Sequence, residues 1–329
     1  MMARSGGGNG NNFKIEEATI KDIQLTFAQN KLTSRQLVDY YLHRIESLNP
    51  VLGGVIEVNL DVRKEADEVD KQRENNNTRS VSSDLHGIPV LLKYSIATTD
   101  KLNTTAGSYA LLGSQVSRDD TVVERLRNAG ALILGKATMT LLKMKNPYVE
   151  RGNPCGSSSG SAISVAANMV AVSLGTETDG SIICSAEYNA VVGLKPTVGL
   201  TSRAGVIPLS PRQDTIGTVS DAVYVLDSIV GFDIRDLEAT RTAAKFIPTG
   251  GYKQFLNEDG LKGKILGVVR HSFLALSNVY VADTVEWSCP DTKERSKSFG
   301  QEIFIAAEAT KGIGEEGDSD DGEAFTRRI

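Results

Sequence analysis

Four short apolar runs constrain this chain more than any other feature. Ile88–Leu92, Ala131–Leu134, Val170–Leu174 and Val191–Leu194 are each four or five residues long. Runs of that length, closed by glycine, proline or charge, read as strands buried on both faces. Helical stretches lie between and after them. Asp120 to Ala129 carries Val123 and Leu126 on one side and stops at Gly130, Ala162 to Met169 is built of small residues, and Ala222 to Val230 follows the fourth run. Upstream, Thr33 and Gln36 have the spacing of a capping box. Leu37, Val38, Tyr41, Leu42, Ile45 and Leu48 follow at helical spacing, and Asn49-Pro50 is expected to end that helix. A second stretch, Asp61 to Glu74, is strongly charged and reads as a solvated helix. Strands alternating with helices at these distances predict an α/β domain around a central sheet.

Composition narrows the function classes. The chain has 329 residues, with 36 Lys and Arg against 41 Asp and Glu, for a net charge of −5. Apolar residues make up 40%, which excludes wholesale disorder and a fibrous repeat. The acidic balance argues against a nucleic-acid partner, which would call for a basic stripe. The most apolar segment, Ala162 to Gly175, is interrupted by Ser164, Asn168 and Ser173 and falls short of the roughly 20 apolar residues that cross a bilayer. The first residues, MMARSGGGNGNN, carry no apolar leader core, so a cytoplasmic protein is the expectation. Cys155, Cys184 and Cys289 are widely spaced, no CxxC occurs, and the histidines are His43, His86 and His271. That pattern predicts neither a zinc site nor a disulfide framework, and each cysteine reads as a buried, inert thiol. Residues 1–12, rich in Gly and Asn, are expected to be disordered. So is a divergent tail over 278–329, where Glu315 to Glu323 holds six acids in nine residues.

Three segments invite a chemical reading and a fourth fails one. Gly130 to Ala137 nearly fits a phosphate-binding loop, but Ala137 lacks the hydroxyl and the four middle residues are strand-like. Gly156-Ser157-Ser158-Ser159-Gly160-Ser161 precedes a helix and is open to two readings, a helix cap with spare hydroxyls or a reactive loop. Gly175 to Ser181 follows a buried run, at the strand end where α/β proteins place their sites, and its backbone N–H groups suit an anion. Lys93 ends the first buried run. Desolvation there would lower its pKa toward that of a usable base, unless the side chain simply reaches water.

The words GIPVLLK at 87–93, CGSSSGSA at 155–162, GTETDGSI at 175–182, VGLKPTVGLTSRAG at 192–205 and SPRQDTIG at 210–217 stand in the order of one family. The chain resembles the amidase signature family, most closely its plant-type probable amidases, over a partial domain of 13–277. The resemblance implies the amidase signature fold, a mixed sheet flanked by helices. It further implies a Ser–cis-Ser–Lys triad with Ser181 as nucleophile, Ser157 as the cis-serine and Lys93 as base, while Ser158 and Ser159 shape the loop. The backbone N–H groups of Thr178, Asp179, Gly180 and Ser181 would form the oxyanion hole. The implied reaction is hydrolysis of a small carboxamide or acyl amide through an acyl-enzyme, with no cofactor and no metal.

The chain also departs from the family pattern. Tyr94 and Ser95 stand where the family has Asp and often Asn, and Ile183-Cys184-Ser185-Ala186-Glu187 lacks the usual proline. Stretches between Leu142 and Asn146 and between Gly217 and Thr218 read as deleted, and the C-terminal part of the family domain reads as absent. These departures support an alternative: a truncated, catalytically weak or inactive paralogue that binds a ligand, self-associates or pairs with a full-length relative. The amide-hydrolysing subunit of a tRNA-dependent amidotransferase shares the implied fold and triad, but its wording is less close.

Overall fold

A computed structural model describes residues 13–75, 83–114, 116–140, 144–257 and 259–260. The expectations for 1–12 and 278–329, and the residues next to Leu142, lie outside the described residues. Two capped helices open the chain. Helix α1 (Ile20–Ala28) starts at a Thr19/Asp22 capping box, and α2 (Ser34–Leu52) at the Thr33/Gln36 box. Helix α2 does not stop at Asn49-Pro50. Proline removes one N–H and one hydrogen bond, and this close to the helix end the last turn survives it. Gly53, left-handed at φ 70°, closes the helix by donating to Asn49 O at 2.8 Å. The Asn49 side chain then bonds Val55 through both its amide atoms, which starts strand β1 (Val55–Val58). Helix α3 (Val62–Asn75) shows its charges to solvent and buries Val62 and Ala66.

The predicted strands form, with shifted ends, except that the fourth run gives only a two-residue, part-exposed edge strand rather than a buried one. They are β2 (Pro89–Lys93), β3 (Leu132–Ala137), β4 (Val172–Glu177) and the short β5 (Gly193–Leu194). Helix α4 (Thr121–Asn128) lies between β2 and β3, with Asp120 accepting from Val122 N as its cap. Strand β3 runs to Ala137, so the Gly135-Lys136 pair is buried strand rather than a phosphate loop. Helix α5 (Ser159–Ala166) begins three residues earlier than its small-residue run suggests, and all eight of its residues are buried. After α6 (Ile183–Tyr188) comes β6 (Thr215–Val219), which the apolar pattern does not mark. Gly217 and Thr218 are neighbours in its unbroken ladder. Helices α7 (Ala222–Ile229) and α8 (Leu237–Ala243) complete the set.

The strands make one six-stranded sheet in the order β1-β3-β2-β4-β6-β5. Strand β2 is central and parallel to both β3 and β4, while β1, β6 and β5 pair antiparallel. The sheet is therefore mixed, and the domain is α/β as the strand–helix alternation predicts. Val90, Leu91, Leu92, Ile133, Leu134, Val172 and Leu174 are all buried at its centre. Because β2 and β4 run in parallel side by side, Lys93 and Glu177 close the same end of the sheet, beside the start of α5. Among the described residues, no helix is long and apolar enough to cross a membrane.

Candidate active site

Lys93 is the last residue of a strand buried along its whole length, and its own side chain is 1% exposed. An ammonium carries three donors and no acceptor. Here all three are used: Nζ donates to Ser157 Oγ at 2.8 Å, Ser158 Oγ at 3.0 Å and Thr176 O at 2.8 Å. No carboxylate pairs with it among the described residues. Burial pulls its pKa down to about 7, and the charges of Glu177 and Asp214 oppose the fall.

The two serine loops meet on this lysine. The Gly156–Ser157 peptide bond is cis. Ser157 Oγ in turn donates to Ser181 Oγ at 3.1 Å. The loops are joined a second time by the backbone, Ser158 N to Ser181 O at 3.1 Å. The helix-cap reading of the serine run is not what the hydroxyls do. Helix α5 starts after Ser158, but Ser158 makes no side-chain cap and instead holds Lys93 and donates to Thr176 O. That close approach requires Gly175 on β4, where a Cβ would lie 2.8 Å from Ser158 Oγ. Ser159 does shape the loop, bonding Cys155 O and Thr140 Oγ1.

The loop 178–181 is gripped at both ends by buried carboxylates that the sequence reading gave no role. Glu177 accepts from Ile182 N at 2.7 Å and Ile183 N at 2.9 Å, so it closes a ring around the loop. Asp214 accepts from Thr178 Oγ1 at 2.5 Å and from Leu209 N and Ser210 N. Gly180 turns through the left-handed region at φ 79°. Among the described residues, no group accepts a hydrogen bond from the N–H of Asp179, Gly180 or Ser181. Both acids stand inside the quoted motif words, which was the available signal. What they bond was not.

One expectation is overturned. Cys155 and Cys184 are not separate thiols but form a disulfide, with Cα atoms 5.9 Å apart. Their 29-residue separation in sequence is no guide to distance, because α5 and β4 fold back to bring the two loops side by side. Tyr94, standing where the family has an acid, is buried, and burial pushes its phenol up against a hydrogen bond with Thr105 that opposes the rise.

The sequence profile of the Amidase family matches residues 36–304. The chain belongs to the amidase family. It is 49% identical to a probable amidase of Arabidopsis thaliana, over 92% of this chain and 74% of that protein. It is 48% identical to a putative amidase of Schizosaccharomyces pombe, over 78% of this chain and 47% of that protein. Among solved structures, the native peptide amidase of Stenotrophomonas maltophilia superposes with a TM-score of 0.65 at 43% identity, covering 70% of this chain and 50% of the other. The chain thus spans about half the length of two of these three amidases. The profile match continues past residue 277, where the quoted motif words have already ended.

Proposed function

We propose that this amidase-family chain is a serine amidase that hydrolyses the carbon–nitrogen bond of a small carboxamide or acyl amide. The supporting observation is the unbroken relay Lys93 Nζ–Ser157 Oγ–Ser181 Oγ, with steps of 2.8 and 3.1 Å. With Lys93 neutral, its lone pair accepts the Ser157 proton while Ser157 accepts that of Ser181. Ser181 Oγ then attacks the amide carbonyl, and the negative oxygen falls to the backbone N–H groups of the 178–181 loop. The proton returns through Ser157 to the leaving amine. Water, activated by the same relay, hydrolyses the acyl-enzyme. Ser–Lys pairing supplies the base without a histidine, and a lysine held near neutrality suits that task.

The test is labelling of the full chain with a fluorophosphonate, followed by mass spectrometry of the adduct. Modification of Ser181, lost in Ser181→Ala, is expected. An intact protein that stays unmodified, beside a relative that labels, would favour the inactive paralogue.

A further inference from the structure

The Cys155–Cys184 bond is placed where it acts on the relay. Cys155 lies two residues before Ser157, and Cys184 three residues after Ser181 in the first turn of α6. The 153–156 segment makes two local bonds, Cys155 N to Asn153 Oδ1 at 2.9 Å and Ser159 Oγ to Cys155 O. Across to the 181–189 segment, besides the disulfide, run a bond from Asn189 Nδ2, just past α6, to Pro154 O at 2.9 Å and the backbone bond from Ser158 N to Ser181 O. The Ser157–Ser181 contact, at 3.1 Å, is already longer than the usual 2.5–3.0 Å for one hydroxyl donating to another. A small drift of either loop would break it.

We propose that the Cys155–Cys184 disulfide is the positioning crosslink that registers Ser157 against Ser181, so that opening it slows attack by Ser181. This rests on Ser181 being the nucleophile. Both cysteines are only part-buried. One thiolate of the dithiol attacks one sulfur and expels the other cysteine as thiolate. The second thiol of the reagent then closes on its own sulfur and frees the first cysteine. The protein gains two electrons and two protons, and the dithiol becomes its cyclic disulfide. The crosslink would thereby make the active site sensitive to thiol redox state.

The experiment compares fluorophosphonate labelling rates of the full chain, oxidised and after dithiothreitol, with the bond's state read by alkylation and mass spectrometry. A fall of at least tenfold on reduction, restored on reoxidation, is expected, because misplacing reacting groups by about 1 Å costs on the order of 100-fold. Cys184→Ser should sit at the reduced rate in either condition. Hydrogen exchange of the same samples should rise in peptides covering 153–157 and 178–185 and stay unchanged in β2 and β4. Equal labelling rates in the two states would overturn the proposal. So would a rise in exchange spread through the sheet, which marks a general staple. If Ser181 labels in neither state, the nucleophile reading fails, and exchange alone then decides the crosslink.

Discussion

Two lysines end up buried on neighbouring parallel strands, and they do different things. Lys93 on β2 and Lys136 on β3 are 1% and 0% exposed, and neither pairs with a carboxylate among the described residues. Burial lowers both, Lys93 to about 7 and Lys136 to about 8. Lys93 touches three acceptors, two of them hydroxyls that can themselves move protons. Lys136 touches Ile96 O and, at 3.3 Å, Thr104 Oγ1. A carbonyl oxygen has no proton to give, and the Thr104 hydroxyl bonds no further hydroxyl among the described residues, so no hydroxyl chain leads from Lys136 toward Ser181. It pins the segment that follows β2, which also returns Ala106 N to Tyr94 O and Ile207 N to Ser95 O. A lowered pKa in a buried lysine therefore does not mark a catalyst by itself. What the ammonium touches decides.

The comparison breaks most sharply under truncation. Lys93→Met should slow Ser181 labelling by about 10²–10⁴-fold, the range of general-base catalysis, in a chain that still folds. Lys136→Met should leave the labelling rate of folded protein within a few-fold while lowering stability by about 1–3 kcal/mol, the range for leaving buried acceptors unpaired, as measured by urea unfolding. Large loss of rate in the folded Lys136 variant would erase the distinction.

The pH profile sharpens the comparison next. Protonated Lys93 cannot accept from Ser157, so the labelling rate should be low in acid and rise through about pH 7. Lys136→Met should leave that limb in place. Glu177→Gln removes a negative charge that favours the ammonium, so the limb should move to lower pH. It also replaces a carboxylate that holds two N–H groups, so the plateau should fall by about tenfold. A limb that stays put would mean Glu177 acts on the loop alone. The smallest effect concerns Gly180. An added methyl has open space, its nearest neighbour being Cys184 Cβ at 3.9 Å. The expected loss in Gly180→Ala is therefore the left-handed backbone term alone, about 1–2 kcal/mol, read by the same unfolding measurement.

The sequence by itself determined the strand–helix alternation, because buried parallel strands must be short and continuously apolar and their connecting helices amphipathic. It also marked Lys93 at the end of a buried apolar run and the two Gly/Ser loops, within which the resemblance to the amidase signature family pointed to Ser157 and Ser181. Local patterns have limits at element ends. Pro50 did not end α2, because a missing N–H matters little in a last turn. Strand β6 carried no continuous apolar run, because Gly217 and two threonines, Thr215 and Thr218, fill three of its five buried positions. Which groups within those words meet was set by the fold. Glu177 and Asp214 became the grips of the 178–181 loop, Ser158 became a ligand of Lys93 rather than a helix cap, and Cys155 found Cys184. Ser158 meets Lys93 because β2 and β4 run parallel side by side, and Asp214 reaches the loop because β6 pairs antiparallel with β4 and sets Thr215 opposite Glu177. Distance across a fold is set by strand order, which no spacing along the chain records.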